Sequence, residues 1–247
     1  MNMENLKNIK WNNQTFNEFR EMLYSLKDEE YKSFNEKIIP NIGKNIGIRT
    51  PVLKEIGKKL KQSDQVLKMY NFLDEEDIYE EKVLQGYLLP NLRYSDTKEL
   101  FNNIDLYILR IDNWALCDGF VVNLKEAVNS NKESFFVRVK KYIRSNNPWE
   151  IRFGLVLLNN YFVDEKHIED IFLLVKYINN NDYYVSMAIA WLMSTCYFFN
   201  KFLTLEFVTS EKLNKECIVK TLQKILESKK ITDKDSAQLK NLKKKYI

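Results

Sequence analysis

NWALCDGFVVNL, residues 113–124, is one of four segments that align on a single small residue. The others are YEEKVLQGYLL (79–89), PWEIRFGLVLL (148–158) and YYVSMAIAWLM (183–193). Aligned, they place Gly86, Gly119, Gly154 and Ala188 at spacings of 33, 35 and 34 residues. A glycine inside a helix costs about 1 kcal/mol relative to alanine, so a small residue recurring at one level predicts close approach of a neighbouring helix there. A period of this length is that of stacked helical hairpins. It indicates architecture and leaves function open.

Working outward, apolar residues recur at helical spacing along most of the chain. Helices are predicted near 15–26, 28–39, 51–62, 63–72, 95–109, 114–128, 132–144, 148–161, 164–178, 183–199, 202–208, 214–228 and 233–245. One more is led by the acidic run 74–81, six acids in eight residues, and ends near Pro90. Acids favour a helix N-terminus, and on a surface they would repel DNA. Thr50-Pro51 reads as an N-cap followed by a first-turn proline. Residues 1–13 are polar and are expected as a flexible segment, followed by a single helical repeat domain over 14–247.

Composition removes several alternatives. The 247 residues include six Gly, four Pro, one His and three Cys. So few breakers cannot punctuate a many-stranded sandwich or barrel, and no glycine-rich phosphate loop occurs. One His and three scattered Cys do not build a zinc site. The N-terminus lacks a signal-peptide core, and no apolar run approaches a membrane span, so a cytoplasmic chain without a membrane partner is expected. Net charge is +4; eleven lysines against five acids give +6 over residues 211–247, leaving −2 for the rest. The plain reading is a solvated lysine-rich terminal helix, and the other is a phosphate-facing patch.

Trp114, Trp149 and Trp191 lie on the repeats. A single indole on a repeat helix ordinarily packs in the core. Trp114 and Asp118, however, are four apart and share a helix face. Asp118 interrupts the apolar string ALCDGFVV, where a carboxylate needs a partner or a role. Arg152, one repeat further on, would serve as an ion-pair partner; a functional carboxylate is the alternative. His167, in DEKHIED, reads as a surface helix residue.

IGIRTPVLKEIGKKL (46–60), NWALCD (113–118), NPWEIRFGLVLL (147–158) and YYVSMAIAWLM (183–193), in this order and spacing, resemble the DNA alkylation repair family of AlkD-like DNA glycosylases, over about residues 16–240. The resemblance implies an all-α fold, a right-handed α-solenoid of HEAT-like antiparallel helical pairs whose concave face binds duplex DNA carrying alkylated purines. It implies a monomer that hydrolyses the N-glycosidic bond of N3- or N7-alkylated purines with no metal or organic cofactor. The family's functional aspartate and the tryptophan before it fall on Asp118 and Trp114, its basic residue near the DNA backbone on Arg152, and its second cleft tryptophan on Trp191. The chain departs from the family at Ser186-Met187, where many relatives carry a basic pair, and at Ser194-Thr195-Cys196, where many carry Arg-Glu-Tyr. Phosphate-facing charges are therefore expected to be fewer. Two clusters are candidates to replace them: Arg138, Lys140, Lys141 and Arg144, and Lys54, Lys58, Lys59 and Lys61. The alternatives are a non-catalytic HEAT-like module for damaged or branched DNA, and a protein-binding solenoid.

Overall fold

Polar side chains start most of the helices by accepting the first free backbone N–H groups. Asn12 and Thr15 form a reciprocal capping box, Asp28 and Asp96 each cap a helix, and Asn147 and Asp182 do the same further on. The computed structural model describes residues 1–74, 77–210 and 213–247. It is all-α: among these residues there are fifteen α-helices, two short 3-10 helices and no strand. No described helix is long and apolar enough to cross a membrane. The chain divides into two compact units, Met1–Ser130 and Asn131–Ile247.

The first unit holds α1 (Asn13–Ser25), α2 (Glu29–Ile38), α3 (Thr50–Leu60), α4 (Val66–Phe72), α5 (Tyr79–Leu88), α6 (Thr97–Ile108), α7 (Trp114–Asn123) and α8 (Lys125–Ser130). Here α5 packs against both α3 and α7. The first 13 residues, expected to be flexible, instead begin with a 3-10 helix at Met3–Asn8. Leu6 and Trp11 are buried in the core of this unit, and the Trp11 backbone N–H donates to Gln65 Oε1 at 2.8 Å. Two large apolar side chains outweigh the polarity of their neighbours.

The acidic run also departs from expectation. Glu75 and Glu76 lie outside the described residues, but Glu80 and Glu81 are both fully buried, so they present no charge to solvent. Glu80 accepts the backbone N–H groups of Ile46 at 2.9 Å, Gly47 at 2.8 Å and Ile48 at 3.2 Å. Glu81 takes a two-point contact from Arg20, at 2.6 and 2.9 Å, and the Arg20 guanidinium lies over the Phe16 ring. Lys82, also buried, pairs with Asp77 at 2.6 Å and Asp112 at 2.9 Å. A charge removed from water needs partners of this kind. Gly47 sits at φ +90° in the loop that Glu80 holds, and a Cβ there would come within 2.6 Å of Lys32 Cβ and 2.7 Å of the Asp28 carbonyl. This loop is the IGIR segment of the sequence.

Two further expectations change. Thr50 is the first residue of α3 and not its cap; Arg49 occupies the cap position without a side-chain bond, while the Thr50 hydroxyl meets the Tyr31 hydroxyl at 2.9 Å. The helix expected over 114–128 ends at Asn123 and resumes as α8. Of the aligned glycines in this unit, Gly86 is in close contact, since a Cβ would lie 2.6 Å from the Tyr107 hydroxyl, whereas a Cβ on Gly119 would meet nothing within 4 Å. Gly119 is thus not at a helix contact.

The second unit holds α9 (Lys132–Ile143), α10 (Pro148–Tyr161), α11 (Ile168–Lys176), α12 (Tyr183–Phe199), α13 (Lys201–Thr209), α14 (Lys215–Leu226) and α15 (Asp233–Lys244). Helix α10 packs on α9 and α12, and α12 packs on α14. Gly154 faces the end of α9: a Cβ there would lie 3.1 Å from Ile143 Cγ1 and 3.2 Å from Tyr142 Cβ. Alternate helices therefore form a packed row in each unit.

Replacing Glu80 by Gln keeps the volume but turns one acceptor into a donor facing backbone N–H groups. Bonds to a charged acceptor are worth about 1.5–3 kcal/mol each, so Glu80→Gln should cost about 2–3 kcal/mol. Urea unfolding should show a lower midpoint with an unchanged slope; an unaltered midpoint would contradict the role assigned to Glu80.

Candidate functional site

Trp114 is the first residue of α7, and its position follows from the bonds around the helix start. Asn113 is the N-cap, fully buried; its side chain accepts from the Leu116 N–H at 3.0 Å and donates to Asp112 Oδ1 at 2.7 Å. Asp112 Oδ2 in turn accepts from Lys82 at 2.9 Å. The Trp114 indole N–H donates to the Ile38 carbonyl at 3.0 Å, tying the ring to the end of α2. Asp118 follows one turn later, half-buried, on a helix whose Leu116, Cys117, Phe120 and Val121 are buried. The indole and carboxylate therefore share one face, as their spacing predicts.

Arg152 and Trp191 belong to the second unit. Arg152 is 6% exposed, and its Nη1 donates to the Tyr184 carbonyl in the first turn of α12 at 2.8 Å. Trp149, on the preceding turn, sets its ring 5.2 Å from that of Tyr184. Trp191 is 39% exposed and lies seven residues after Tyr184, two helical turns along α12. It borders an open depression of about 720 Å³ together with Lys132, Asn159, Thr195 and Lys230.

The departures from the family pattern have a structural correlate. Ser186, Ser194 and Cys196 are buried. A charge at these positions would be enclosed by this unit's own packing. Of the basic residues expected to compensate, Lys59 pairs with Glu4 and Glu55. Lys140 and Arg144 edge a separate groove of about 430 Å³ with Leu173 and Tyr177.

His167 is not a surface residue. It is 3% exposed, at the cap position of α11, with ring centroids 4.4 Å from Phe136 and 5.4 Å from Phe162. Its Nδ1 lies 2.6 Å from Asp164 Oδ1. Burial draws the Asp164 carboxyl upward, but its bonds to His167 and Lys132 outweigh that and hold it below the ordinary carboxylate range.

Sequence reasoning passed over Asn113 and Lys230. Asn113 carried a signal, a capping residue type just before an apolar run; Lys230 carried none beyond its place in a lysine-rich tail. Truncation of the cap, Asn113→Ala, should cost about 1–2 kcal/mol, a drop in Tm of about 2–8 °C for a chain of this size. An unchanged Tm would mean that the cap does not hold α7.

A family model described as DNA alkylation repair enzyme matches residues 19–223. Among curated proteins none matches. The family match spans most of both units, and the chain belongs to the DNA alkylation repair enzyme family.

Proposed function

We propose that this repair enzyme is a DNA glycosylase for purines carrying an alkyl group at N3 or N7. The observation that carries the reading is the pairing of Trp114 and Asp118, one turn apart on a helix start held by Asn113. Such a purine is cationic and already a good leaving group. When the bond from its nitrogen to C1′ breaks, the electron pair stays with the purine and neutralises it, while positive charge develops on the sugar. A carboxylate beside that sugar stabilises the charge and orients the water that adds to C1′; Asp118 is given this role. The faces of Trp114 and Trp191 attract the cationic base or sugar, by about 0.5–2 kcal/mol each. Arg152 is assigned to a DNA phosphate.

The architecture proposed with this function is a right-handed α-solenoid of HEAT-like helical pairs with duplex DNA on its concave face. It is supported by the packing of alternate helices, α3 with α5 with α7 and α10 with α12 with α14, and by the repeat period. No cofactor is used in the proposed chemistry. The second reading, a non-catalytic module for damaged or branched DNA, is favoured by one observation. Arg152 is nearly enclosed and already engaged with the Tyr184 carbonyl.

Single-turnover assays on methylated duplex DNA, at low salt with protein in excess, separate the two. The wild type should release N3- or N7-methylpurine, and Asp118→Asn should slow release by about 10²–10³-fold, the usual cost of losing one preorganised electrostatic group, with little change in Tm. Duplex binding without base release would favour the module.

A further inference from the structure

We infer that the groove between α9 and α11 of the second unit is a docking site for an acidic amphipathic helix of a partner protein. The groove measures about 430 Å³ and shares no lining residue with the depression beside Trp191. The inference therefore goes beyond base release and does not depend on it.

One wall of the groove is cationic. Lys140 lies in the last turn of α9 and Arg144 caps its end. Both are exposed, and neither makes an ion pair among the described residues. Like charges one turn apart repel. A helix end favours cations, which accounts for their place on α9 but not for what borders the groove with them. The other wall is apolar: Leu173 and Tyr177, one turn apart on α11, line the same groove and are 53% and 69% exposed. Single apolar side chains scattered on a surface are ordinary; two on one helix face, across from two such cations, form a patch. Lys176 holds its ammonium 5.2 Å from the centre of the Tyr177 ring and brings a third cation to that side. Among the described residues the one acid at the edge is Asp170, in the first turn of α11, where a helix start favours it.

An occupant of this groove needs apolar side chains one turn apart for Leu173 and Tyr177, and carboxylates one turn apart for Lys140 and Arg144. A helix with an apolar stripe and acids along its flank presents both at once. All four groove side chains are exposed, so the occupant lies along the surface, unlike an enclosed small molecule. A DNA duplex would set phosphates beside Asp170 and leave the apolar wall without a partner.

The test is fluorescence anisotropy with a labelled synthetic peptide of about 18 residues, long enough to form a helix, carrying a leucine stripe flanked by glutamates. The wild type should bind it saturably, with Kd of about 100 μM or tighter. Lys140→Glu/Arg144→Glu should weaken binding by about tenfold. The same double variant should bind a peptide with lysines in place of the glutamates, which the wild type does not. Leu173→Ala, at an exposed position, should also weaken binding, by about fivefold, with Tm unchanged. Absence of saturable binding by the wild type overturns the inference. So does binding that either substitution leaves unchanged, or failure of the charge swap. An equal loss of duplex DNA affinity in the double variant also overturns it, by making these cations nucleic-acid contacts. Base release from methylated duplex should be unaltered in both variants, so failure here and failure of the glycosylase reading are separate results.

Discussion

Glu80 is a carboxylate withdrawn wholly from water, and the first unit is arranged so that three backbone N–H groups meet it. Leaving such a charge unpaired would cost several kcal/mol. The loop before α3 must therefore reach the start of α5 in one conformation, and Gly47 at φ +90° is what lets it pass between that start and the backbone of α2. The motif IGIR is conspicuous in the sequence for this reason. It is the backbone half of an anion cradle, with a glycine where a side chain has no room.

The two residues after Glu80 extend the same device. Glu81 fixes α1 through Arg20, and Lys82 fixes the segment before α7 through Asp112. Asp112 bonds to Asn113, and Asn113 caps the helix that carries Trp114 and Asp118. The candidate carboxylate is thus positioned by a chain of bonds that begins at a buried ion pair on another helix. Such a chain suits a group that must sit beside a developing charge without reorganising. The second unit works differently. Its α12 is apolar over most of its length and positions Trp191 by packing between α10 and α14. Lys132 and Lys230 border the depression beside Trp191.

Features governed by neighbours in sequence were legible in advance. The bounds of α10 and α12 follow from Asn147-Pro148 and Asp182, and the shared face of Trp114 and Asp118 follows from four-residue spacing. What failed depended on partners far along the chain. Acids 80 and 81 look like a solvated first turn until Arg20 and the loop at 46–48 are brought to them. His167 sits in a charged string, yet Phe136 and Phe162 enclose it. Gly119 shares its register with Gly86 and Gly154 but is exposed, and a Cβ there would meet nothing within 4 Å. Periodicity identifies a face; it does not say what arrives to cover it.

The central claim is that alkylated bases leave the DNA through cleavage of the glycosidic bond. Its most direct test is the mass of a duplex strand carrying one N7-methylguanine after incubation with excess protein. The account predicts a strand lighter by the lost base, ending as an abasic site, with intact 7-methylguanine in solution. A strand that loses only the methyl group, or that keeps its full mass while bound, would contradict it.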